Sequence, residues 1–202
     1  MAGNVRRNLE TLGCTVEFIR GKVSKKKRLI DKRTNQQLLR LDEDAISEPV
    51  IFETAIPPGY DAIVISDYDK GTVSYELIEE LVKEVDVPIF VDTKKTDLAR
   101  LSGCYIKINE LEQSRATSLP SIEHLIVTQG HGGAVWNGQV FPAVIVGDVT
   151  DVCGAGDTFL AALAYKFLET KCIPDAVKFA NKASSITVQH VGVYAPRLEE
   201  IE

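Results

Sequence analysis

The spacing of apolar positions changes rhythm near residue 60. Upstream of it, residues 4–12 carry helical spacing and run into Thr15-Val16-Glu17-Phe18-Ile19, which reads as a strand. A polar region over 20–44 follows, and the alternation in Gln36-Gln37-Leu38-Leu39-Arg40-Leu41-Asp42 predicts exposed antiparallel strands. Downstream, Asp61-Ala62-Ile63-Val64-Ile65-Ser66 is a continuous apolar run ending at a polar cluster, the pattern of a strand buried on both faces. Residues 74–85 place Leu77, Ile78, Leu81, Val82 and Val85 on one helical face. Further strands are predicted over 87–93, 104–109 and 124–130, with short helices between them. Strands alternating with helices define an α/β class with an open, mainly parallel sheet. Within 133–141, Asn137-Gly138 separates two short apolar runs and predicts a hairpin. Two helices follow, over 155–169 and 174–190; the first is apolar nearly all round and is expected deep in the molecule.

Composition narrows the class. With 202 residues and 45% hydrophobic content, the chain is long enough for one domain with a full core. A net charge of -6 argues against a nucleic-acid partner or an anionic membrane surface. The basic run Lys25-Lys26-Lys27-Arg28 reads as a solvated strand or loop. No apolar stretch approaches the roughly 20 residues of a membrane span, and the N-terminus lacks the apolar core of a signal peptide. Cys14, Cys104, Cys153 and Cys172 are scattered, with no metal spacing, and His124, His131 and His190 are isolated. A cytoplasmic protein with reduced cysteines and no zinc site is the expectation.

Candidate chemistry gathers after the buried strands, where open α/β sheets bind their ligands. Polar clusters stand there at 66–71, 92–95, 109–112 and 128–130. The stretch Asp151-Val152-Cys153-Gly154-Ala155-Gly156-Asp157-Thr158-Phe159 opens the apolar helix. Amides of Gly154, Ala155 and Gly156 at a helix start have no upstream carbonyl and favour an anion, and glycine allows its close approach. A carboxylate at 157 has two readings. It is a common first-turn residue, favoured by the helix dipole; or it is a general base taking a proton from a hydroxyl that lies between it and a phosphoryl group. No Gly-Lys-Ser/Thr follows as in a Walker loop, and Gly130-His131-Gly132-Gly133 leads into a hairpin, unlike a dinucleotide fingerprint.

The nine residues from Asp151 to Phe159 resemble the D-x-x-G-A-G-D-T-F signature of the ribokinase-like (pfkB-type) carbohydrate kinases. Stretches 34–42, 66–71, 91–103, 108–112, 126–133 and 179–193 resemble one branch, the heptose 7-phosphate kinases of ADP-heptose synthesis. The resemblance implies a three-layer α/β/α fold over 1–202 with a mainly parallel central sheet and a small β lid at 22–42. It implies an ATP-dependent kinase that phosphorylates the anomeric hydroxyl of a heptose 7-phosphate. Asp157 would be the base and Gly154, Ala155 and Gly156 the anion hole. Asn109 and Glu112 match the family's N-x-x-E element, with Glu112 reaching Mg²⁺ through water; taken alone, the pair reads as a helix cap. Thr128, Gly130, Gly133 and Asn181 would line the nucleotide. Asn4 and Asp67 would meet sugar hydroxyls, and Lys70 and Lys94 a phosphate, although each lysine alone reads as a surface residue. Asp151 would help hold a monovalent cation, and the lid would serve as a homodimer interface. The family's first strand, its sugar-binding aspartate and part of its lid have no counterpart here, nor has the nucleotidyltransferase domain fused to some relatives. That pattern leaves open a kinase for another sugar, or a nucleotide- or sugar-binding homologue with reduced catalysis.

Overall fold

Four apolar runs form neighbouring parallel strands: β3 (Ile63–Asp67), β4 (Ile89–Thr93), β5 (Tyr105–Asn109) and β6 (Leu125–Thr128). The computed structural model describes residues 2–34, 36–51, 56, 58–144, 147 and 149–202. After β6 the sheet turns antiparallel through β7 (Ala134–Trp136) and β8 (Gln139–Phe141), giving the order β3-β4-β5-β6-β7-β8. The tight turn between β7 and β8 puts Asn137 and Gly138 at positive φ, 48° and 74°, as the Asn-Gly pair requires. Every residue of β4 is buried, which explains why its sequence shows no alternation.

Helices cover both faces. One face carries Phe90 and Ile126 and packs against α1 (Ala2–Thr11), α4 (Ala155–Thr170) and α5 (Ile173–Thr187). The other carries Ile65, Val91, Ile106 and Ile108 and packs against α2 (Tyr75–Glu84) and the 3₁₀ turn Leu98–Leu101. Two shorter helices are α3 (Glu110–Arg115) and α6 (Leu198–Ile201). The expected α/β/α layering is therefore present. Ser74 caps α2 by accepting from the Leu77 amide. In α4 all eight residues from Asp157 to Ala164 are buried, which accounts for its lack of a polar face. Thr187 Oγ1 donates to Thr158 Oγ1 at 3.0 Å, so the hydroxyls between α4 and α5 satisfy each other.

The lid is a two-stranded antiparallel ribbon, β1 (Lys25–Ile30) and β2 (Gln37–Glu43), in register from Lys25 opposite Glu43 to Leu29 opposite Leu39. At its far turn, Asp31 accepts from the Arg33 amide and the Thr34 hydroxyl. At its base, Ser47 accepts from the Lys22 amide and donates its own amide to Lys70 O. One expectation fails. Residues 15–19 form no strand: Val16 packs on the core, but the segment joins no ladder. Alternation orients side chains, and only a neighbouring strand edge turns an extended segment into a strand.

Cys104 has no exposed surface, and burial pushes its thiol up to about 12 from an ordinary 9.0. The unfolded chain loses this proton near 9, whereas the folded chain holds it until about 12. Stability is therefore expected to fall as pH rises through that window, with no contribution from Cys104 below it. Iodoacetamide at pH 8 is expected to leave Cys104 unmodified in native protein and to label it after urea unfolding, as read by peptide mass spectrometry.

Candidate active site

Because β3 to β6 are parallel, their carboxyl ends share one edge, and the first turn of α4 reaches it. Gly154 caps this helix at φ 86°, a left-handed conformation that costs other residues about 1–2 kcal/mol. A Cβ there would also lie 2.9 Å from Asn4 Nδ2. The loop before the helix is fastened by Asp151, whose Oδ1 accepts from the Cys153 amide and whose Oδ2 accepts from the Gly192 amide at 3.0 Å. Thr150 and Asp151 amides both donate to Val188 O, and Ser184 Oγ donates to Ala155 O. The helix tip is thus held by α5 and by the loop that follows it.

Asp157 is 6% exposed. Its Oδ2 accepts from Asn4 Nδ2 at 3.0 Å, and its Oδ1 accepts from the Tyr68 hydroxyl at 3.3 Å. Asn4 is itself steadied by Asn8, whose amide nitrogen donates to Asn4 O at 2.8 Å. Burial first, then the carboxylates of Asp157 and Asp92, push the Tyr68 phenol well above its usual range, so it stays a donor at every pH of interest. A buried carboxylate beside a helix N-terminus, held by two donors from distant segments, is oriented to accept a proton.

Beneath the helix tip, Lys107 on β5 pairs with Asp92 on β4 at 2.9 Å, and both are buried. A Cβ on Gly156 would lie 2.9 Å from Lys107 Nζ, so glycine there lets the ammonium approach the helix backbone. To one side, Asn109 and Glu112 form a full capping box for α3: Asn109 Oδ1 accepts from the Glu112 amide, and Glu112 Oε2 from the Asn109 amide. Glu112 Oε1 pairs with Lys94, which also lies 5.7 Å from the Tyr68 ring centre. The cap reading of Asn109 and Glu112 is therefore what the geometry displays, but the Glu112 side chain is only 9% exposed and does not lie on a solvated face.

On the far side, the Thr128 hydroxyl donates to Ile108 O, and Gly130 starts the turn that returns the Gly133 carbonyl to the Gln129 amide. Asn181 Nδ2 donates to Phe141 O and Pro142 O, tying α5 to the end of the hairpin that Gly133 opens. Two further sequence candidates are engaged in contacts within the protein. Asp67 accepts from the Thr93 hydroxyl and the Asp69 amide and lies 3.5 Å from Lys95, binding the ends of β3 and β4 together. Lys70 pairs with Asp44 at the base of the lid, at 2.7 Å. Tyr68 and Asp92 lay in polar clusters that the sequence marked without giving them a role, and Lys107 escaped it. A lysine inside the otherwise apolar strand Cys104-Tyr105-Ile106-Lys107-Ile108 was the available signal.

The donor chemistry suits magnesium arriving with a nucleotide. Glu112 supplies carboxylate oxygen, and Mg²⁺ commonly keeps its waters and binds through one or two carboxylates plus substrate phosphates. No group of three or more His, Cys, Asp or Glu forms a dedicated metal cage among the described residues.

Residues 64–201 match the model of the pfkB family of carbohydrate kinases, and the chain belongs to that family. It is 33% identical over 209 residues to the bifunctional protein HldE of a Nitratiruptor species, covering 89% of this chain and 44% of the relative. The HldE of Sulfurimonas denitrificans is 31% identical, with 90% and 44% covered. The chain thus spans less than half the length of these curated relatives. In fold it is similar to the Burkholderia thailandensis nucleoside kinase solved with inosine (TM-score 0.71, 20% identity, 99% of this chain and 82% of that one). It is likewise similar to the ribokinase of Thermotoga maritima (TM-score 0.62, 18% identity, 91% and 69% covered). The fold is ribokinase-like.

Gly154→Ala is expected to cost about 1–2 kcal/mol for the left-handed backbone and to displace Asn4 from Asp157. Urea unfolding reads the first effect, and the shift of the Asn4 side-chain amide resonances reads the second.

Proposed function

We propose that residues 1–202 form one ATP-dependent sugar kinase unit that phosphorylates the anomeric hydroxyl of a heptose 7-phosphate, giving the 1,7-bisphosphate. The observation that carries the chemistry is the placement of Asp157: a buried carboxylate with two fixed donors, one turn into a helix whose tip is glycine. In this reading the acceptor oxygen attacks the γ-phosphorus of ATP and its proton passes to Asp157. The bond from γ-phosphorus to the bridging oxygen breaks, and ADP leaves with the electron pair. Amides of Gly154 and Gly156 would stabilise charge on the phosphoryl group in flight; contrary to the expectation of three open amides, that of Ala155 donates to Val152 O at 3.3 Å and would have to leave it to join them. Catalysis here is mostly positioning, because the phosphoryl group itself needs little covalent help.

Glu112 and Asn109 would hold magnesium through water, and the bound ion would neutralise charge between the β- and γ-phosphates. Thr128, Gly130, Gly133 and Asn181 would line the nucleotide, and Asn4 and Tyr68 would meet the sugar. Lys94 would exchange Glu112 for a phosphate, and a monovalent cation would sit beside Asp151. The heptose phosphate assignment rests on the sequence stretches that resemble that branch and on the likeness to HldE proteins. The lid would pair two copies: Leu29, Leu38, Leu39 and Leu41 are all 47–66% exposed on a ribbon too small to bury them itself.

A coupled ADP-release assay over free and phosphorylated sugars is expected to give turnover with heptose 7-phosphate. Turnover with a different sugar would reassign the acceptor, and ATP binding without release on any sugar would remove the kinase reading. Asp157→Asn is expected to lower turnover by about 10²–10⁴-fold with nucleotide affinity retained; full turnover would end the base assignment. Light scattering of Leu38→Glu is expected to show a monomer where the natural chain is a dimer.

A further inference from the structure

Ser66, Asp92 and Lys107 stand side by side on three adjacent strands: Ser66 is in register with Asp92, and Asp92 with Lys107. The same sheet face, two residues earlier, carries Val64, Phe90 and Tyr105, which pack in the core. The polar row therefore occupies only the layer that meets the tip of α4. A buried ion pair gives little net stability over apolar replacements of similar volume, so folding alone does not account for one here.

Two polar groups in this row are incompletely used. The Lys107 side chain is 5% exposed, and among the described residues its one hydrogen-bond partner is Asp92. An ammonium has three donors, so two remain without protein acceptors. The Ser66 hydroxyl is buried and has no partner among the described residues, a rare state that calls for a partner from outside them. The ion pair in this row lies close to Asp157: Lys107 Nζ abuts Gly156, and the Tyr68 phenol that binds Asp157 also feels the charge of Asp92.

We propose that Lys107 is a catalytic residue whose ammonium contacts the phosphoryl group as it crosses from nucleotide to sugar, with Asp92 as the positioning residue that holds it. The inference rests on the kinase reading above and deepens it. Lys107 gains and loses no proton in the step; the proton goes to Asp157. Asp92 keeps the ammonium in place between turnovers, and the vacant donors of Lys107 meet the oxygens of the transferring group. Ser66 supplies a further hydroxyl to the same space.

Lys107→Met alone leaves Asp92 buried without its partner, so the deciding protein is Lys107→Met/Asp92→Asn, which leaves neither charge. Thermal melting establishes that this variant is folded, and calorimetry compares Mg·ADP with the Mg²⁺ complex of β,γ-imido-ATP. The double variant is expected to bind ADP within about threefold of the natural chain. Its preference for the imido analogue should fall by about tenfold or more, as loss of a charged hydrogen bond implies. Turnover on the sugar that supports ADP release should fall by about 10²–10³-fold with little change in KM, and Lys107→Arg should recover part of it. A folded double variant that keeps both the preference and turnover within about fivefold overturns the proposal. If the natural chain releases no ADP with any sugar, the kinase reading fails by itself, and the nucleotide comparison alone decides whether Lys107 meets the terminal phosphate.

Discussion

The proposed chemistry depends on burying one carboxylate at the start of a helix. A helix N-terminus welcomes negative charge, which lowers the cost of placing Asp157 at 6% exposure. The remaining cost is met by two hydrogen bonds, from Asn4 and Tyr68. Removing either donor would leave acceptor capacity stranded in a buried site. The same tip carries the glycines, whose missing side chains admit Asn4 on one side and Lys107 on the other. Helix start, base and cation thus form a single packing problem with a single solution.

The sheet solves the problem of bringing these groups together. Parallel strands send all their carboxyl ends to one edge, so residues far apart in sequence meet without long loops. Along β3, β4 and β6 the inner positions are apolar and the last one or two are polar, whereas β5 carries Lys107 at its centre. The change from Phe90 to Asp92, and from Tyr105 to Lys107, moves from core to site within one strand repeat. The opposite sheet face ends differently: Asp67 and Lys95 link to each other there and brace the strand ends.

Much of this was legible in the residues. Continuous apolar runs located β3 to β6, Asn137-Gly138 located the hairpin, and the unbroken apolar body of α4 announced its depth. The glycine-rich opening of α4 and the motif around it also located the candidate base. Other features were hidden because they depend on pairing. Alternation over 15–19 could not reveal that no strand edge would receive it. Asp67 and Lys70 stand in the expected loops, but their ion pairs with Lys95 and Asp44 join residues too far apart in sequence to be read from it. Tyr68 entered the site through a bond to a residue 89 positions away, and Lys107 through its approach to Gly156. No local window contains either contact.

The tie between Asn4 and Asp157 spans 153 positions. The orientation of the base is therefore a property of chain closure and not of the glycine motif alone. A substitution that loosens α1 from α4 would therefore take a donor from this carboxylate without touching the glycine-rich turn, so the proposed chemistry and the motif that advertises it could be lost separately.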